Sequence, residues 1–141
     1  MASFVYNTTL FKTYDNTFDW SAGTTKVALV TSTYTPDKDA HDFFDDVTNE
    51  VIGSTGYTAG GNTVTPTVTQ DNTNDEIDIV LPGTSWSSST ITARAAVYYR
   101  DTGNAATSEL LAYIDFGSDV SSSNGTFTLT QSTYTVGNAS V

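Results

Sequence analysis

Apolar and polar residues alternate with a period of two through much of this chain, the signature of strands with one buried face. Residues 3–6 begin with Phe4-Val5-Tyr6, and residues 26–33 read Lys26-Val27-Ala28-Leu29-Val30-Thr31-Ser32-Thr33, an apolar run suited to a central strand. The stretch 63–69 alternates Val64, Pro66 and Val68 with threonines. Proline cannot donate to a ladder, so this strand is expected at a sheet edge. Ile77, Ile79 and Leu81 follow, and Pro82-Gly83 stops them. Residues 91–99 place Ile91, Ala93, Ala95, Val97 and Tyr99 on one face. In that register Arg94 shares the other face with Thr92, Ala96 and Tyr98. Residues 109–116 put Leu110, Ala112, Ile114 and Phe116 together, and a polar loop is expected from Gly117 to Gly125. Phe127, Leu129, Tyr134 and Val136 complete the series.

One stretch departs from this rhythm. In residues 37–51, Phe43, Val47 and Val51 recur every four positions after Thr35-Pro36-Asp37, and Gly53 follows. Acidic residues suit a helix start, so one short helix is expected there. Turn residues punctuate the chain at Gly60-Gly61-Asn62 and at Asp101-Thr102-Gly103-Asn104. The pattern is that of an all-β, single-domain β-sandwich or jelly-roll-like barrel. Residues 1–25 read as an N-terminal segment, either an arm or the first strands. Residues 26–136 form the sandwich, and 137–141 a flexible C-terminus.

Composition narrows the chemistry. The 141 residues fit one core, and there is no cysteine, so thiol catalysis, thiolate zinc sites and disulfides are excluded. Sixteen acidic residues against five basic ones give a net charge of -11. Phosphate backbones and anionic membranes are repelled, so neither nucleic acid nor membrane is an expected partner. A basic protein surface would be attracted, and acidity also keeps a concentrated protein soluble. The start, Met1-Ala2-Ser3-Phe4-Val5-Tyr6, does not read as a signal peptide, so the chain is expected to stay where it is made until assembly or lysis.

Candidate sites are few. His41 is the single histidine, with no nucleophile or metal partner signalled nearby. Asp37, Asp39 and Asp42 form one acidic cluster, and Asp71 and Asp75 belong to another. Calcium prefers such oxygens, yet neither cluster has EF-hand spacing, and a solvated acidic face explains both. No cofactor and no catalytic residue is assigned, and no enzyme activity is expected. The aromatic and basic side chains are better candidates for contact with a partner: Phe4, Tyr6, Phe11, Trp20, Trp86, Arg94 and Tyr98. Tyr98 and Tyr99 are adjacent, so in a strand they face opposite ways and one is expected to point outward. Aromatics on a sandwich also fit a carbohydrate-binding module.

Several segments resemble a known group. They are Lys26-Val27-Ala28-Leu29-Val30, Tyr57-Thr58-Ala59-Gly60-Gly61-Asn62-Thr63-Val64, Ser85-Trp86-Ser87-Ser88-Ser89-Thr90-Ile91-Thr92-Ala93-Arg94-Ala95-Ala96-Val97, Leu110-Leu111-Ala112-Tyr113-Ile114-Asp115-Phe116-Gly117 and Ser121-Ser122-Ser123-Asn124-Gly125-Thr126-Phe127. Together these resemble small virion structural proteins of tailed bacteriophages, most closely head decoration (cement) proteins, across roughly residues 24–130. The resemblance implies a non-catalytic assembly protein made in the host bacterial cytoplasm and carried on the capsid surface. It implies the major capsid protein or another virion protein as partner, and a homo-oligomer, commonly a trimer. Tail, neck and fibre components are alternatives, and no family binding residue transfers to a position here.

Overall fold

The computed structural model describes residues 2–137, and the protein is mostly β. Ten strands and one α-helix follow in order: β1 (Phe4–Val5), α1 (Asn7–Tyr14), β2 (Thr24–Val30), β3 (Asn62–Val64), β4 (Thr67–Asp71), β5 (Glu76–Leu81), β6 (Thr84–Ser89), β7 (Thr92–Asp101), β8 (Leu110–Ser121), β9 (Gly125–Leu129) and β10 (Ser132–Val136). A central antiparallel sheet has the order β1-β8-β7-β2-β3. Two smaller antiparallel sheets, β10-β5-β4 and β6-β9, complete a sandwich-like domain.

The central sheet is buried on both faces, because a separate apolar cluster forms on each. On one face Val27, Leu29, Ala93, Ala96, Tyr98 and Leu111 meet Ile79 and Leu81 of β5, Trp86 of β6, and Phe127 and Leu129 of β9. On the other, Ala28, Val30, Ala95, Val97 and Tyr99 meet Tyr6, Tyr34, Phe44 and Val47. The run Val27-Ala28-Leu29-Val30 therefore lacks polar alternation, as a strand covered on both sides requires. Each of these four side chains is 0% exposed.

The helix expected near residues 37–51 is not formed. Pro36 is buried and the segment after it runs as turns, with one 3₁₀ turn at Phe44–Asp46. Asp37 Oδ1 accepts the backbone N–H groups of Asp39 and Ala40 at 3.0 and 3.1 Å, and Asp46 Oδ2 accepts those of Asp42 and Phe43 at 2.9 and 3.2 Å. These carboxylates compete with helical bonds for the same donors, the reason aspartate is poor inside a helix. Phe43 instead bridges to Glu109, while the Phe44 ring stacks on Tyr99 at 3.9 Å.

The helix that does form lies in the N-terminal segment. Its inward face is polar: buried Thr9 donates to the Leu110 carbonyl at 2.5 Å, and Thr13 accepts the Trp20 indole N–H at 3.0 Å. Asn7 and Thr8 donate to Asp39 and Asp42, and Lys12 pairs with Glu109. Residues 1–25 therefore supply a first strand and a helix folded onto the domain, with Tyr6 at 0% and Trp20 at 3% exposure. Among the described residues this segment is not a free arm.

Three strand expectations also change. The stretch 63–69 is two strands: Val64 ends β3 in the central sheet, and after Pro66 the chain enters β4 in another sheet. Val64 and Pro66 are buried but Val68 is exposed, so they do not share one buried face. In β8, the register against β7 shifts at Leu111, so Leu110 and Ala112 enter opposite clusters. A second shift places Phe116 to Asp119 opposite a single β7 residue, Arg94, with Gly117 at φ +81°. The expected loop after Gly117 is thus a bulged continuation of β8 to Ser121.

Residues 138–141 of the expected flexible C-terminus lie outside the described residues.

Candidate assembly surface

Both-face burial of the central sheet decides the fate of most sequence candidates. Tyr98 points into one cluster and donates to the Pro82 carbonyl at 2.9 Å, while Tyr99 points into the other and donates to the Gly60 carbonyl at 2.7 Å. Neither tyrosine is outward, contrary to expectation, and burial raises both phenol pKa values. Trp86 is 4% exposed and packs edge-on to Phe127, with centroids 5.9 Å apart. Trp20 lies under Phe18 at 5.3 Å, and Tyr6 is sealed beneath Phe4 and hydrogen-bonded to Tyr34 at 3.0 Å. Phe4 is half-buried and stacks on Tyr113. Five of the seven contact candidates, Phe4, Tyr6, Trp20, Trp86 and Tyr98, are therefore packing residues of this chain.

Arg94 is also spoken for. Its Nε donates to Asp115 Oδ1 at 2.9 Å, across the β8 bulge. The shift beside it turns Arg94 toward the cluster of Ala95 and Tyr113, away from the face of Ala96 and Tyr98 assigned by simple alternation. The Asp115 side chain is 6% exposed, and the Arg94 guanidinium holds its carboxyl well below the usual range, assisted by the Gly117 N–H. With Ser32, Tyr34 and Tyr113 the pair lines a polar cleft of about 200 Å³.

The acidic clusters are not gathered into metal sites. Among the described residues no group of three or more His, Cys, Asp or Glu is placed to hold an ion. Asp37 caps its own turn, and Asp39 and Asp42 receive the start of α1. Asp71 accepts from the backbone of Thr73 and Asn74 and from the Asn74 amide, shaping the β4–β5 hairpin, while Asp75 sits in that hairpin at φ +57°. The Asn74 amide and these N–H groups lower the pKa of Asp71. His41 is half-buried: its Nδ1 meets the Tyr34 hydroxyl at 3.0 Å and the Asp37 N–H at 3.3 Å. This histidine closes a turn.

One sequence candidate remains outward. Phe11 is 68% exposed, and Tyr14, three residues on, is 67% exposed. On a helix such a pair shares a face. The opposite face is tied down by Thr9, Thr13 and Lys12, so two aromatic rings stand on a helix clamped to the body. Of this pair only Phe11 is among the contact residues assigned from the sequence, Tyr14 counting there as one aromatic of the N-terminal segment. The i, i+3 spacing was the available signal, hidden because α1 presents threonine to the core.

Compared with known protein families, with curated proteins and with solved structures, the chain shows no significant match to any of them.

Proposed function

We propose that this chain is a non-catalytic structural component of a tailed-phage virion, a head decoration protein that grips the major capsid protein lattice and stabilises the shell. The observation that carries the reading is the Phe11–Tyr14 pair, two exposed aromatics fixed on a helix that is fastened to the core. Aromatic side chains bring large contact area with few rotatable bonds to freeze on docking and are typical anchors of protein interfaces. The segment resemblance to virion proteins supplies the class of partner, and the charge of -11 favours a basic docking surface. Weak single contacts suffice, since many copies on one shell stabilise it together. A carbohydrate platform built on Trp86 loses its support, because that indole is 4% exposed.

Binding to particles that lack the chain tests this. Phe11→Ala with Tyr14→Ala is expected to weaken particle binding at least about tenfold, the value of one modest interface anchor, while the melting temperature stays within a few degrees. Unchanged binding by a folded double variant would remove the assigned docking face.

A further inference from the structure

We propose that β4 is a self-association edge, pairing antiparallel with β4 of a second copy of this chain across a two-fold axis. This inference stands without the virion reading. β4 is the outer strand of the β10-β5-β4 sheet, and Thr67, Val68, Thr69 and Gln70 are all exposed. Its pairing with β5 runs from Thr67↔Val80 to Asp71↔Glu76 without a register shift, so no bulge twists the edge away. An edge strand turns the N–H and C=O groups of alternate residues outward, and natural edges are blunted by lysine, proline, bulges or cover. β4 has none of these within it, and Pro66 stands just before it.

The other edges are short or face other parts of the chain across a cleft. β1 has two residues and β3 three. β10 shares a cavity with Ser3, Phe4 and Ile114. β9 faces a groove of about 320 Å³ shared with Ile114, Phe116 and Val120 of β8, and β6 receives the Asn62 side chain at its Ser85 carbonyl. Among the described residues β4 is the unshifted five-residue edge on which four consecutive residues, Thr67 to Gln70, are exposed.

Charge selects the occupant and its direction. A chain of net charge -11 repels its own copies across most faces, but Thr67 to Gln70 carry no charge. Centring the axis on Thr69 sets Thr69 opposite its own copy, Val68 opposite Gln70 and Thr67 opposite Asp71. The two Asp71 carboxylates then lie about 13 Å apart along the strands, beyond the ~8 Å screening length at physiological salt. Parallel pairing would place Asp71 and Asp75 beside their copies. On the face shared with Ile77, Val68 (48% exposed) and Ile77 (38% exposed) of both copies extend into one apolar strip. A strand pair of this length buries less than a standard interface, so the dimer forms at high protein concentration.

Sedimentation equilibrium from about 10 μM to about 1 mM reads this out, with circular dichroism as the fold control. The wild type is expected to show a monomer–dimer equilibrium. Thr69→Glu alone and Thr69→Lys alone, each setting like charges across the axis, are expected to weaken it at least about tenfold. An equimolar mixture of the two variants restores association. A wild type monomeric throughout would overturn the proposal and leave the edge to an extended segment of another protein. Dimerisation insensitive to both variants, or no recovery on mixing, would overturn it equally.

Discussion

Gly61 shows how one residue can be fixed by backbone approach alone. It sits at φ +73°, and a Cβ built there would lie 1.8 Å from the Val27 carbonyl oxygen, a β2 backbone atom with no room to move. Gly103, at φ +82°, has nothing within 4 Å. The contrast separates two costs. Gly103→Ala is expected to cost only the left-handed penalty of ~1–2 kcal/mol. Gly61→Ala adds a backbone collision and is expected to cost more than about 3 kcal/mol, or to prevent folding, in urea titrations of both variants. The turn at Gly60-Gly61-Asn62 was legible in the sequence. The requirement at the second glycine was not, because it depends on a strand more than thirty positions away.

Asp115 is the residue where pH enters. Its pKa is depressed in the folded protein, first by the Arg94 hydrogen bond. A depressed carboxylate contributes stability above its unfolded value of ~3.9, and that contribution is lost as pH falls through the lower folded value. Asp115→Asn is therefore expected to lower stability at about pH 7, with the gap to wild type closing toward about pH 2. Parallel stability profiles across that range would show that the pair contributes nothing. The sequence marks Arg94 as a candidate contact for a partner, and the structure gives it to an acidic residue of its own chain. Its partner lies 21 positions away and is reached only through the register shift in β8.

At the scale of elements, legibility follows the breadth of burial. β2 and β7 are long apolar runs and were readable as strands, β2 as a central one, but Ile91 and Ala93 enter one cluster and Ala95, Val97 and Tyr99 the other. The helix was misplaced because its stabilising contacts are not apolar. α1 has eight residues, too short to be stable alone, and is held by tertiary hydrogen bonds from threonine and lysine. The four-residue spacing of Phe43, Val47 and Val51 has another cause. Phe44 and Val47 pack on one side of the central sheet and Val51 on the other, the chain between them crossing its edge. The same packing gives the N-terminal segment a structural role. Deleting residues 1–20 would remove β1, Tyr6 and Trp20 from the core. Each aromatic deletion costs ~3–5 kcal/mol, against a total stability of ~5–15 kcal/mol for a domain. The truncated chain is expected to lose its cooperative thermal transition, and a cooperative melt near that of the full chain would contradict this packing.

For the whole molecule, the fold class was open to sequence reasoning and the site was not. A sandwich was visible in alternation, but alternation assumes one wet face, and the middle of this central sheet is covered on both. Aromatics that look available in a strand, such as Tyr98 and Trp86, are therefore consumed by the second layer. The proposed contacts use, among the described residues, the β4 edge and two aromatics on a fastened helix of an acidic body. That combination suits a component that stays soluble when concentrated and docks by repetition.

The proposed station on a virion head is open to test in a cryo-electron microscopy map of the intact source particle. Many copies of this sandwich are expected on the outer capsid surface, each with the Phe11–Tyr14 face of α1 against the shell. Density for the domain at the tail, neck or fibres, or head-bound copies with α1 turned to solvent, would contradict it.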